Sequence, residues 1–279
     1  MPELPEVETV VRALRPAIVG ARIERVDFAS ARISKGNPRG WKDALTGRTV
    51  ERVTRRGKYI VISFAGGGHF VAHLRMTGRF RLYPPDARRE RYDRLILTVA
   101  GGPLPDARRL VLVDTRQFAR ADFVPDGHAH RHPGIAKLGP EADTITEIDL
   151  RRRLARTHRP IKSLLLDQTA IAGLGNIYAD EALHAAGVHP LSPGDLIDRA
   201  HIRRLRAAIQ RILTAAIEAC GTTFDTFSDL TGEAGGFAPQ LHVYGRDGLP
   251  CLSCSAIIER LVLSGRSAHF CPRCQPPPV

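Results

Sequence analysis

No apolar run in the 279 residues reaches the roughly eighteen needed to span a bilayer. A secretory signal is lacking too, because the first nine residues, MPELPEVET, are acidic and proline-broken rather than basic and then apolar. These two absences predict a soluble, intracellular protein without a membrane partner. The sequence also contains no G-x-S-x-G, no Walker phosphate loop and no H-E-x-x-H. That removes the commonest hydrolase and nucleotide-triphosphatase readings. Acidic residues are scarce beside basic ones, 29 against 41, leaving a surplus of 12 and a pI near 10.1.

Such a balance suits a polyanionic partner, although an arginine-rich soluble protein has the same composition. The surplus sits in the first half. Residues 1–140 hold 26 basic and 14 acidic side chains, and residues 141–279 hold 15 of each. If the second half touches phosphate, it does so through a few placed cations such as Lys162 and Arg266.

Cysteine is absent until Cys220, and four of the five crowd the end as Cys251, Cys254, Cys271 and Cys274, a C-x2-C-x16-C-x2-C pattern. Each two-residue spacer turns two thiolates toward one point, and a hairpin between the pairs supplies the other two, which is what a tetrahedral Zn site needs. Two disulfides would fit the same spacing, but a reducing compartment favours metal. Four cysteines leave no open coordination position, so the expected cofactor is one structural Zn2+. Cys220 stands alone near a helix end and reads as packing.

Hydrophobic periodicity divides the chain. Val7, Val10, Val11, Leu14 and Ile18 form one stripe of a helix over 3–19. Short β-rich runs follow at 22–28, 49–53, 59–64, 70–74, 95–99 and 110–113, broken by glycine-rich turns, which argues for a β-sandwich or barrel. Helical periods return at 149–157, 161–168, 176–186 and 198–219. Between the second and third of these, Gly173 and Gly175 permit a tight reversal that turns backbone N–H groups outward. The predicted architecture is α+β. It comprises an N-terminal helix with a β-sandwich domain (1–130), a helical domain (131–240) with a loop near 230–237, a zinc hairpin (241–275) and a tail (276–279).

With no metal to do chemistry, the N-terminus is the remaining candidate. Removal of Met1 would leave Pro2 as a free secondary amine. The reference pKa of an α-amino group is about 7.7–8.0 against about 10.4 for lysine, so its neutral fraction at pH 7 is a few hundred times larger. Attack on a sugar C1′ would give a cationic iminium, a covalent electron sink. Glu3 and Glu6 lie beside this amine, where one carboxyl could donate a proton and the other hold the helix end. Proline and glutamate in a first turn are also ordinary capping chemistry, and composition and spacing alone favour that plainer role.

The two ends of the chain, together with Arg56-Gly57-Lys58-Tyr59, His73-Leu74-Arg75-Met76-Thr77-Gly78, Arg116-Gln117-Phe118, Gly173-Leu174-Gly175-Asn176-Ile177-Tyr178, Val243-Tyr244-Gly245-Arg246 and Gly265-Arg266-Ser267, resemble the bacterial formamidopyrimidine-DNA glycosylases along nearly the whole length. The resemblance implies a β-sandwich flanked by helices, a helical domain with a helix-two-turns-helix element, and a zinc-binding β-hairpin. It implies a monomer acting in the bacterial cytoplasm, associated with the nucleoid, on damaged double-stranded DNA. Such an enzyme excises 8-oxoguanine and formamidopyrimidines and then cuts the abasic strand by β- and δ-elimination.

By position, Pro2 is then the Schiff-base nucleophile and Glu3 the acid, while Lys58 and Arg266 act on phosphates flanking the lesion. Lys162 and Asn176 grip backbone phosphate. Met76, Arg116 and Phe118 fill the gap left by the flipped nucleotide, with Arg116 facing the orphaned cytosine. An extruded base leaves a gap whose lost stacking an apolar wedge replaces, and a guanidinium offers cytosine a forked donor. Phe118 taken alone is equally a core residue.

Four positions bear on base preference or on the branch of the family. Tyr92, counted among the DNA contacts, stands where histidine is often found. The capping loop has Glu233 and Gly236 where a lysine and an aromatic are common. Leu4 stands where the endonuclease VIII branch usually has glycine, which favours oxidised purines. The competing readings are a glycosylase for oxidised pyrimidines and a zinc-dependent paralogue that binds damage without cutting.

Overall fold

The computed structural model describes residues 1–28, 33–34, 39–125, 127–223, 230 and 232–278. Thr231 of the expected capping loop and Val279 of the tail lie outside the described residues. The chain divides into two compact units. One comprises Met1–Ala136 with Ala219–Gly236, and the other Lys137–Glu218 with Phe237–Val279.

The first unit opens with α1 (Leu4–Ile18), whose stripe Val7, Val10, Val11, Leu14 and Ile18 is buried. Two antiparallel sheets follow. One has the order β1 (Arg22–Phe28), β6 (Asp93–Ala100), β7 (Arg108–Val113), β5 (Arg79–Tyr83), and the other β2 (Val50–Arg56), β3 (Tyr59–Phe64), β4 (His69–His73), β8 (Arg120–Val124). Alternation along the strands turns Val26, Leu97, Leu110, Leu112 and Phe80 of one sheet, and Val53, Ile60, Ile62, Phe70 and Ala121 of the other, into one core shared with α1. The expected sandwich is present. β5, β8 and the short helix α2 (Arg39–Leu45) were not expected from the sequence. α3 (Pro133–Ala136) closes this stretch of chain.

The second unit holds α4 (Glu147–Leu154), α5 (Ile161–Leu166), α6 (Asn176–Ala186) and α7 (Arg199–Glu218). It ends in the antiparallel hairpin β9 (Glu259–Leu263) and β10 (Arg266–Phe270), which lies between the two cysteine pairs. α6 ends at Gly187 in the left-handed conformation, the usual glycine stop. Cys220 differs from expectation. It is exposed, with φ +59°, just past the end of α7. No described helix is long and apolar enough to cross a membrane.

Candidate active site and metal centre

In the first unit the N-terminus is held firmly. Pro2 and Glu3 are buried, and the Glu3 backbone N–H donates to Glu6 Oε2 at 2.8 Å. The other Glu6 oxygen accepts the Thr222 N–H at 2.8 Å. Gly221 beside it has φ +86°, and a Cβ there would lie 2.9 Å from Glu6 Oε1, so the close approach requires glycine. One carboxylate therefore fixes both the start of α1 and the chain leaving α7.

Lys58 occupies a two-residue hairpin between β2 and β3, after Gly57 at φ +54°. Arg55 ties this turn to α1, with Nε donating to Glu8 Oε2 at 3.2 Å and a terminal nitrogen to the Gly57 carbonyl at 3.1 Å. Lys58 itself is only 5% exposed.

His73, part of a matched motif but given no role from sequence, also belongs here. Its Nδ1 accepts the Arg75 N–H at 3.0 Å, which leaves Nε2 to carry the proton. Burial first, then the charges of Arg75 and Lys58, push its pKa down to about 3, so the ring is neutral at physiological pH. His73, Arg75, Arg120, Arg131 and His132 line a cavity of about 520 Å3 with one carboxylate, Asp122.

Met76 and Phe118 are 40% and 44% exposed. For Phe118 this removes the core reading. The Arg116 guanidinium sits 4.7 Å over the Phe118 ring. Tyr92 is half-buried between the guanidinium groups of Arg91 and Arg94.

In the second unit, Gln168 shapes the turn ahead of α6 by accepting the Gly173 N–H at 2.9 Å and donating to the Leu174 carbonyl at 2.8 Å. Asn176 begins α6, and its Nδ2 donates to Ser267 Oγ at 3.3 Å. Arg266 is exposed at the start of β10. Glu181 accepts the backbone N–H groups of His242, Val243 and Tyr244 at 2.9, 2.9 and 2.8 Å, which fixes the chain that leads into the hairpin.

Lys162 requires a correction. Its side chain is wholly buried, with Nζ 2.5 Å from Asp180 Oδ1 and 2.5 Å from the Ser267 carbonyl. An ammonium without surface has no face to offer a phosphate. A buried lysine persists only when paired, and its partner on α6, Asp180, was invisible as such in the sequence.

The four hairpin cysteines form the group that could hold a metal among the described residues. Cys254 Sγ lies 3.4 Å from Cys271 Sγ and 3.5 Å from Cys274 Sγ, and Cys251 Sγ lies 4.0 Å from Cys274 Sγ. A tetrahedron with Zn–S near 2.3 Å has S···S edges of about 3.8 Å, so the set fits zinc and is far too open for disulfides. Burial and the neighbouring sulfurs push the Cys271 and Cys274 thiols up, while the Ala256 amide leads a pull on Cys254 down to about 7. A divalent cation relieves that conflict among four crowded thiolates.

Three family models match the chain. They are the formamidopyrimidine-DNA glycosylase N-terminal domain over residues 1–121, the formamidopyrimidine-DNA glycosylase H2TH domain over 138–228, and the zinc finger found in FPG and IleRS over 248–277. The chain is 43% identical over 278 residues to a formamidopyrimidine-DNA glycosylase of Heliobacterium modesticaldum, covering 99% of this chain and 100% of that protein. It is similar, with TM-score 0.90 and 36% identity, to Lactococcus lactis Fpg solved with an abasic site containing DNA, over 99% of this chain and 100% of that one. MutM solved with carbocyclic 8-oxo-G containing DNA is similar at TM-score 0.90 and 34% identity, with the same coverage.

Proposed function

Because the chain belongs to the formamidopyrimidine-DNA glycosylase family, we infer that its substrate is an oxidised purine in duplex DNA and that its reaction runs through the Pro2 amine. It is a DNA glycosylase with abasic-site lyase activity, and it carries one structural zinc on Cys251, Cys254, Cys271 and Cys274. The observation that carries the role of Pro2 is the double grip of Glu6 on the Glu3 and Thr222 amides, which fixes the first residues of α1. A nucleophile held this way loses little entropy when it meets its substrate.

Once Met1 is removed, the Pro2 nitrogen attacks C1′ of the damaged nucleotide while the glycosidic bond breaks and the base leaves with a proton. Glu3 protonates the ring oxygen, the sugar opens, and a C1′ iminium links it to Pro2. The iminium acidifies the C2′ protons. Loss of one breaks the C3′–O bond, and a second elimination breaks the C5′–O bond, so both ends carry phosphate.

Lys58 and Arg266 neutralise the flanking phosphates as these leave, and Asn176 holds backbone phosphate. The neutral His73 is suited to donate its Nε2–H to the same backbone. Met76 and Phe118 replace the extruded nucleotide in the stack, Arg116 faces the orphaned cytosine, and Tyr92 joins the contacts. The chain acts as a monomer on nucleoid DNA in the bacterial cytoplasm.

The test is a duplex with 8-oxoguanine opposite cytosine, labelled at both ends of the damaged strand. Free 8-oxoguanine and two phosphate-terminated fragments are expected. Base release without strand cleavage, or an intact strand, would overturn the reading.

A further inference from the structure

Two exposed apolar tips, Met76 and Phe118, each follow a non-glycine residue in the left-handed region, Arg75 at φ +56° and Gln117 at φ +57°. Side chains stay in that region only when their surroundings over-determine it. Both turns converge on one fully buried carboxylate. Asp114 Oδ1 accepts the Thr77 hydroxyl and the Arg116 N–H, the latter at 3.1 Å, and Oδ2 accepts the Ala119 N–H at 2.7 Å. Its own N–H donates to the Tyr92 carbonyl at 3.0 Å, and its carbonyl accepts Arg94 Nε at 2.7 Å. The turns also touch directly, since a Cβ on Gly78 would lie 2.9 Å from the Ala119 Cβ.

We propose that Asp114 is the positioning residue that locks the Met76 turn and the Arg116–Phe118 turn into a single wedge, and that opposite-base selection depends on it although it touches no DNA. The proposal rests on the reading that Met76, Arg116 and Phe118 enter the duplex. With Met76 and Phe118 40% and 44% exposed, burial alone does not order the tips, and separate turns would lose their entropy on binding. Turns sharing one acceptor lose it on folding and meet the DNA preorganised. Arg116 then reaches the opposite base from a fixed origin, which discrimination between cytosine and adenine requires.

Thr77→Val removes one donor from Asp114 and nothing from the second turn, and Thr77→Ser restores the hydroxyl. In the free protein, amide hydrogen exchange at Arg116 and Ala119 should accelerate about tenfold in Thr77→Val and stay at the wild-type rate in Thr77→Ser. Acceleration confined to residues 76–78 would overturn the coupling. In single-turnover excision, Thr77→Val should lower the preference for lesion opposite cytosine over lesion opposite adenine by about tenfold, and Thr77→Ser should keep it. An unchanged ratio in Thr77→Val would overturn the role in selection. A wild-type chain that excises neither duplex would sink the functional reading instead, while the exchange rates would still decide whether Asp114 couples the turns.

Discussion

Lys162 Nζ lies 2.5 Å from Asp180 Oδ1, and both side chains are fully shielded from solvent. Asp180 Oδ2 also accepts the backbone N–H and Nδ1 of His269, at 3.0 and 3.1 Å, so α5, α6 and β10 meet at one carboxylate. The hairpin that presents Arg266 is thus anchored to the helices by an ion pair.

Lys162→Met should strand a buried charge, at a cost of about 3–5 kcal/mol in stability. The slope of DNA affinity against salt should not change, because no phosphate contact is lost, whereas Arg266→Ala should flatten it by about one unit. Thermal unfolding and binding titrations at several salt concentrations check both. A flattened slope in Lys162→Met with an unchanged Tm would restore the phosphate role that the sequence suggested.

Metal analysis of the purified chain should find about one Zn per molecule. Cys254→Ser or chelation should unfold the β9–β10 hairpin and weaken DNA binding, since metal binding supplies the folding energy of so small a module. The first unit, which has its own core, should retain its near-ultraviolet circular dichroism. Full DNA affinity without zinc would contradict this.

His73 sets a pH dependence. Its imidazole titrates near 6.5 when unfolded and at about 3 when folded. Between those values the unfolded chain holds the extra proton, so stability is complete above the window and falls as pH drops through it. From pH 7 to 5 the loss should reach about 2 kcal/mol. His73→Gln should lack this component, so urea midpoints of the two chains should converge as pH falls. Parallel curves would show that His73 is not buried in its neutral form.

Legibility in the sequence followed burial. The strands at 22–28 and 59–64 and the helix at 176–186 were read to the residue, because the sandwich core and the helix stop impose strong patterns. β5 and β8 were missed because each has five residues with one buried side chain, and charged residues break the apolar pattern, Arg79 and Arg81 in β5 and Arg120 and Asp122 in β8. The cysteine spacing stated its own chemistry. Asp114 was also within reach, since an aspartate that bonds the amide two residues on is a local motif. Lys162 was not legible, because its partner lies on another helix and only packing shows that the pair is buried. The link from Glu6 to Thr222 spans most of the chain and has no local signature.

The central claim is that the Pro2 amine forms the covalent intermediate. Borohydride added to the enzyme on an 8-oxoguanine duplex should trap a protein–DNA adduct, and peptide mapping should place it on an N-terminus that begins at Pro2. A chain with one extra residue ahead of Pro2 has no secondary amine, and should bind the duplex yet trap nothing. Equal trapping by the extended chain, or an adduct mapped to a lysine such as Lys58, would contradict the account.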